Sequence, residues 1–164
     1  MLENCGVNST AIFGEMKDSK IHTLRLADLG DINDLDALKD LPCLKSLTCA
    51  QVSFDPMELS VLSELEWLEI YDNSDERLLS MLEDMKSLRF LAFNKIKLNE
   101  DALVDALLRC PSIEELELRY GTVTSVEPIE KLAGMPALKK LDLKESGIAS
   151  EELQKISFCD EVIG

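Results

Sequence analysis

Leu65-Glu66-Trp67-Leu68-Glu69-Ile70 decides the fold, because its pattern of apolar residues, L-x-x-L-x-L, recurs along the whole chain. The last apolar position of the copies falls at residues 2, 26, 49, 70, 93, 118 and 143, in steps of 24, 23, 21, 23, 25 and 25. A period of roughly 20–29 residues with this signature predicts repeating units that each contribute one short strand and a returning helix or turn. Full copies begin at Ile21, Leu44, Leu65, Leu88, Ile113 and Leu138, and Leu2 fits the end of a copy cut short by the chain start.

The residues within one copy alternate between the two faces of a strand, so the second and last apolar residues point inward together. Helically spaced apolar stripes follow the strands, for example Leu78, Leu79, Leu82 and Met85. The chain is therefore predicted to be an α/β leucine-rich-repeat solenoid of about six full repeats plus a partial first one. Its parallel strands are expected on a concave face and its helices on a convex face.

Capping residues mark the expected helix starts. Asp55 precedes Pro56, and Asn99 precedes another apolar stripe, as do Ser74, Ser125 and Ser150. The turn after each strand is irregular where leucine-rich repeats commonly carry asparagine or cysteine. At these turn positions, only Asn73 and Cys5 have a side chain that we expect to form hydrogen bonds with a neighbouring turn.

The whole chain, residues 1–164, is expected to form one domain, because no linker or low-complexity segment interrupts the repeats. Residues 1–20 are interpreted as a partial repeat or an N-terminal cap, and residues 157–164 as a C-terminal cap. Since Leu2 stands in the middle of a motif, one expectation is that the chain is the C-terminal part of a longer protein. The alternative is a complete protein with a degenerate first cap.

The segment from Asn99 to Leu118, with its Cys110-Pro111 pair before the strand, resembles the cysteine-containing repeats of F-box/leucine-rich-repeat proteins and the broader ribonuclease-inhibitor-like group. That resemblance implies protein binding, often as the substrate receptor of a ubiquitin ligase. The chain differs from the group in its shorter repeats and in having no F-box segment before them. A weaker resemblance, carried by Val126-Glu-Pro-Ile129-Glu-Lys-Leu132 and the acidity, is to acidic leucine-rich nuclear phosphoproteins, whose long acidic tail is absent here.

The formal charge of −15 arises from 32 acidic and 17 basic residues. Such a charge repels phosphate backbones, so a protein with a basic or mixed-charge surface is the expected partner and nucleic acid is not. The charge also has a simpler interpretation, which is solubility.

No apolar run is long enough to predict a membrane span, and no signal peptide is visible. Five cysteines without C-x-x-C spacing favour a reducing compartment, the cytoplasm or nucleus.

The outward strand positions hold the candidate binding residues. Trp67, the only tryptophan, is expected on the concave face beside Phe90 of the next repeat, and this aromatic pair suggests a binding hot spot with an acidic rim of Glu69, Asp72, Glu115 and Glu117. The alternative is that Trp67 and Phe90 simply stack across adjacent strands and shield the sheet. The predicted partner-binding residues are Trp67, Glu69, Tyr71, Phe90, Asn94, Glu117, Arg119 and Tyr120.

The sequence offers little support for a catalytic function. The single histidine, His22, begins a strand, and neither a thiol–base pair nor a zinc-ligand spacing is present. We therefore expect a non-enzymatic protein–protein interaction module without cofactor or metal, acting as the substrate-recognition part of a larger adaptor. The alternatives are a regulator of an enzyme, of the phosphatase-inhibiting or GTPase-activating kind, and a structural subunit of an assembly. The sequence does not predict the oligomeric state.

Overall fold

A single parallel sheet runs through the chain in sequence order. The structure is a computed structural model and describes residues 2–3, 18–32 and 35–164. Within these ranges each strand is hydrogen-bonded to the strand of the next repeat. The strands are β1 (Leu2–Glu3), β2 (Thr23–Asp31), β3 (Ser46–Ser53), β4 (Trp67–Tyr71), β5 (Phe90–Asn94), β6 (Glu115–Glu117), β7 (Lys140–Asp142) and β8 (Glu161–Ile163).

The register places equivalent positions of successive repeats side by side. Leu47 pairs with Leu24 on one side and Leu68 on the other, and all three are buried. Leu2 pairs with Leu26, which confirms that Leu2 occupies the last position of a partial first motif. The α/β leucine-rich-repeat architecture predicted from the sequence is thereby confirmed.

Short helical segments return the chain from one strand to the next. Within the described residues, four are α-helices: α1 (Arg77–Met81), α2 (Glu100–Leu107), α3 (Val126–Glu130) and α4 (Ser150–Leu153). The others are 3₁₀ helices at Leu35–Asp40, Pro56–Val61, Leu82–Asp84 and Lys131–Gly134. Their apolar side chains and the inward strand residues form one continuous core.

Two of the five predicted helix caps are confirmed. Asp55 accepts the backbone N–H of Met57 at 3.0 Å, and Asn99 accepts that of Ala102 at 2.9 Å. The three predicted serines make no capping hydrogen bond, and of them only Ser125 stands at the N-cap position of its helix. Asp75, and not Ser74, accepts the N–H of Arg77 at the start of α1. Ser125 precedes α3 without a capping hydrogen bond, and Ser150 is itself the first residue of α4.

A left-handed residue occurs in each of six consecutive repeats, two positions after the last inward residue of the strand. All six are non-glycine residues, with φ between 53° and 59°. The backbone N–H groups of three of them donate to the carbonyl of the next repeat, so the parallel ladder continues past the strand ends. The six are Asp28, Gln51, Asp72, Lys95, Tyr120 and Glu145.

One side chain that connects neighbouring turns is Thr122, one position later than the expected asparagine site. Its buried hydroxyl lies 2.9 Å from the Phe93 carbonyl and 2.7 Å from the Arg119 carbonyl, and it accepts the backbone N–H of Ile96 at 3.3 Å. Asn73 instead accepts the N–H of Asp75 within its own turn. The sequence-based expectation for Asn73 was therefore wrong, and Cys5 lies outside the described residues.

The C-terminal segment predicted as a cap contributes β8, which pairs with β7 through Leu141 and Val162. Phe158, Cys159 and Val162 are partly buried against the core of the last repeat. Most of the predicted N-terminal partial repeat or cap, residues 1–20, lies outside the described residues.

We predict that Thr122→Val destabilises the protein by about 1–3 kcal/mol, because it leaves buried backbone groups of two repeats without their partner. Thr23→Val, at an exposed strand position, serves as the control and is expected to change stability by less than about 0.5 kcal/mol. Urea unfolding followed by the fluorescence of the single tryptophan measures both. Equal stability of the two variants would contradict the role given to Thr122.

Cysteine reactivity provides a second test of the fold. Burial raises the pKa of the Cys49 thiol to about 12, whereas Cys43 is only half-buried. In the folded protein we expect iodoacetamide to modify Cys49 more than about tenfold more slowly than Cys43, because the thiolate is the reacting species. Peptide mapping by mass spectrometry gives the two rates, and in urea they should converge. Rapid labelling of Cys49 in the folded protein would place it outside the core.

Candidate functional site

The outward side chains of the strands form rows across what we call the open face, the face of the sheet opposite the helical segments. Strand pairing places Ser46, Trp67, Phe90, Glu115 and Lys140 in one row, at the start of the strands. A second row contains Thr48, Glu69, Ala92, Glu117 and Asp142, and a third row contains Ala27, Ala50, Tyr71 and Asn94. Residues far apart in the sequence thus become neighbours about 4.8 Å apart.

Trp67 and Phe90 stack face to face. Their ring centroids are 3.4 Å apart and their planes differ by 7°. Phe90 is only 5% exposed, whereas Trp67 is 38% exposed. The indole Nε1–H donates to Glu69 Oε1 at 2.7 Å, so the tryptophan is held both by its ring face and by its polar edge.

Small residues occupy the open face next to this aromatic pair. Ser46 and Thr48 of β3 lie directly beside Trp67 and Glu69 of β4. The outward side chains of β4 therefore stand as a wall above a lower surface. Farther along the strands, a hollow of about 500 Å³ lies over Ala27 and Ala50, with Tyr71, Asp72, Lys95 and Tyr120 among its lining residues.

A partly buried ion-pair network fills the opposite half of the open face. Arg119 donates to Glu117 Oε1 at 2.9 Å and to Asp142 Oδ2 at 2.5 Å. Burial raises the pKa of Glu117 above its ordinary value, despite the charge of Arg119. Burial acts in the same direction on Asp142, but the hydrogen bonds from Arg119 and from the Lys144 backbone prevail and lower the pKa of Asp142.

The acidic rim expected around the aromatic pair is largely neutralised by neighbouring cations. Lys95 pairs with Asp72 at 2.8 Å, Lys140 with Glu115 at 3.4 Å, and Arg119 with Glu117. Among the open-face carboxylates of β4, β6 and β7, Glu69 is the one that has no cation within ion-pair distance in the part of the chain described. Its hydrogen-bond donors are the neutral groups of Trp67 and Thr48, the latter at 3.4 Å.

The predicted site residues separate into accessible and buried ones. Trp67 and Tyr120 are exposed, and Glu69 and Tyr71 are half-buried. Burial, with the charge of Glu69 as the next contribution, raises the pKa of Tyr71. Asn94 is completely buried, and its Oδ1 accepts the backbone N–H of Arg119 at 3.2 Å.

The prediction that Phe90 and Asn94 are available to a partner is therefore corrected, because the neighbouring side chains cover both. Phe90 instead supports the indole, and Asn94 supports the turn at Arg119. Glu117 and Asp142 share the charge of Arg119, and Glu117 and Arg119 form the edge of the accessible area.

Residues 2–3, 18–32 and 35–164 include the single histidine of the chain. His22 is exposed just before β2. In these ranges no group of three or more histidine, cysteine or acidic side chains is arranged to hold a metal ion. None of the described helices combines the length and the apolar character required to cross a bilayer.

Comparison with known proteins shows similarity at the level of the fold. The sequence matches no protein-family model and no curated protein. Internalin C2 of Listeria monocytogenes has a similar structure, with a TM-score of 0.58 and 20% identity over 97% of this chain and 76% of the internalin. The leucine-rich-repeat domain of the type III effector XopL gives a TM-score of 0.59 at 14% identity, over 88% of this chain and 51% of that domain.

A third similar structure is TLR13, solved in complex with a single-stranded RNA. It gives a TM-score of 0.51 at 17% identity, and the match covers 84% of this chain but only 27% of TLR13. These sequence identities are too low to transfer a function. The structural matches and the observed strand order and register support the same conclusion: by fold, the chain is an α/β leucine-rich-repeat solenoid.

Proposed function

We propose that the chain is a protein-binding module whose open face contacts the partner, with Trp67 at the centre of the contact. The observation that carries this proposal is an immobilised yet accessible indole. Trp67 keeps 38% of its surface exposed while it stacks on Phe90 and donates to Glu69. A large side chain already fixed in one orientation loses little conformational entropy on binding, which is why tryptophan is enriched in hot spots.

The proposed contact surface consists of Trp67, Glu69, Tyr71 and Tyr120. Phe90, Asn94, Glu117 and Arg119 hold these side chains in place from below or from the side. The hollow over Ala27 and Ala50 adds room for a protruding side chain of the partner. Aromatic walls around a depression are the usual setting for an anchor residue.

The charge of the chain supports a protein partner with a basic or mixed surface. At −15, the molecule repels the phosphates of nucleic acid at long range. The TLR13 structure contains RNA, so the fold itself is compatible with a nucleic-acid ligand. For this chain, the preference for a protein over a nucleic-acid partner is supported by its negative charge.

The wider role we propose is substrate recognition within a larger adaptor, as implied by the resemblance to F-box/leucine-rich-repeat proteins. A cytoplasmic or nuclear location accompanies this proposal and is supported by the free thiols of Cys43, Cys49, Cys110 and Cys159. Recovery of a phosphatase or small GTPase would indicate the regulatory alternative. Recovery of the chain itself would indicate a structural subunit.

Site-specific cross-linking tests the proposal. A photo-cross-linking amino acid at Thr23, an exposed position on the open face, should capture the partner in extracts of the organism that encodes the chain. The same group at Met57, which is exposed on a helical segment, is the control and should not capture the partner. We expect Trp67→Ala to weaken binding of the recovered partner by about 2 kcal/mol or more, roughly thirtyfold.

Two results would overturn the proposal. One is capture from Met57 but not from Thr23, which would move the binding surface to the helical side. The other is a recovered partner whose affinity is unchanged by Trp67→Ala. Circular dichroism of the variant establishes that the fold is intact before either result is interpreted.

A further inference from the structure

The indole of Trp67 has one covered face and one open face. Strand pairing places Trp67 between Phe90 of β5 and Ser46 of β3. Phe90 covers the first face in the stack described above. The Ser46 side chain is too short to cover the second face, which accounts for the exposure of Trp67. A slot one residue wide therefore lies above Ser46, with the indole as its wall.

Glu69 supplies a negative charge at the end of this slot. One carboxylate oxygen, Oε1, accepts the indole N–H. The other, Oε2, lies 3.4 Å from the hydroxyl of Thr48 and is thus directed toward β3, the side on which the indole face is open. Both donors are neutral, so these hydrogen bonds fix the carboxylate without balancing its charge.

The cations bordering the slot are already engaged. Lys45, which precedes Ser46, lies 3.3 Å from Glu64 and 3.4 Å from Glu66, and so is shared between two carboxylates. Arg89 pairs with Glu114 at 3.1 Å. Among the described residues, no lysine or arginine lies within ion-pair distance of Glu69, and the two cations that precede Ser46 and Phe90 are already paired with other carboxylates.

We propose that this slot binds an arginine side chain of the protein partner. The planar guanidinium stacks on the open face of Trp67 and donates to Glu69. This inference rests on the proposed function and specifies the chemistry of the partner. Tryptophan is the best aromatic acceptor of a cation, and a guanidinium offers a flat surface and several N–H groups at once. The strongly negative field of the whole chain increases the rate of encounter with such a basic segment.

The single tryptophan makes the slot directly observable. The probes are two acetylated and amidated pentapeptides, Gly-Gly-Arg-Gly-Gly and the same peptide with citrulline, which keeps the shape of arginine without its charge. Each is titrated into the full chain while the indole N–H resonance and the fluorescence of Trp67 are recorded. We expect the arginine peptide to bind with a dissociation constant in the millimolar range and the citrulline peptide about tenfold or more weakly.

Three variants locate the binding. Glu69→Gln removes the charge and should weaken the arginine peptide about fivefold or more. Ser46→Leu fills the slot without changing Trp67 or Glu69 and should abolish binding. Glu115→Gln makes the same charge change on the same face, at a carboxylate paired with Lys140, and should stay within about twofold of the unaltered chain.

Equal binding of the two peptides would overturn the inference, since the charge would then be irrelevant. So would equal losses in Glu69→Gln and Glu115→Gln, which would indicate a general charge effect, or undiminished binding in Ser46→Leu. If the arginine peptide does not bind but the partner is still captured and still depends on Trp67, the arginine slot is wrong. The proposed function is then unaffected. Peptide binding together with capture from Met57 but not from Thr23 would overturn the proposed function instead.

Discussion

The parallel register between successive repeats is the constraint on which the rest of the molecule depends. A single unit of 21–25 residues cannot bury its own apolar residues, and only a neighbour in the correct register covers them. The column that runs through Leu47, Leu68 and Leu91 shows the result, because each leucine lies beside its equivalent and all are buried. A shift of one residue would move every member of the column to the open face.

The same register determines the neighbours of each outward residue. Trp67 meets Phe90 and Ser46 only because all three occupy the same position in consecutive units. The left-handed residues reinforce this arrangement, since the N–H groups of Asp72, Lys95 and Tyr120 continue the hydrogen-bond ladder beyond the strands. Non-glycine residues adopt this conformation at an energetic cost. At these three residues the continued ladder offsets that cost.

Sequence reasoning predicted what depends on the period alone. The alternation within L-x-x-L-x-L was sufficient to place Trp67 outward and next to Phe90, and local cap patterns identified Asp55 and Asn99. It failed where a side chain depends on residues one repeat away. The burial of Asn94, the neutralisation of Asp72 by Lys95 and the bridging hydroxyl of Thr122 are all of this kind. A single sequence does not indicate which long side chain contacts which residue of the neighbouring repeat.

The open face consequently has two halves with different electrostatic character. On β6 and β7 the carboxylates of Glu117 and Asp142 share the guanidinium of Arg119, so a partner would have to break existing bonds to engage them. On β4 the bonds of Glu69 to Trp67 and Thr48 orient its carboxylate but leave its charge unbalanced. A cation that binds Glu69 gains an ion pair without breaking an existing one, and the carboxylate is already held in position. For this reason we propose that a partner is recognised at the boundary between the aromatic wall and the small residues of β3.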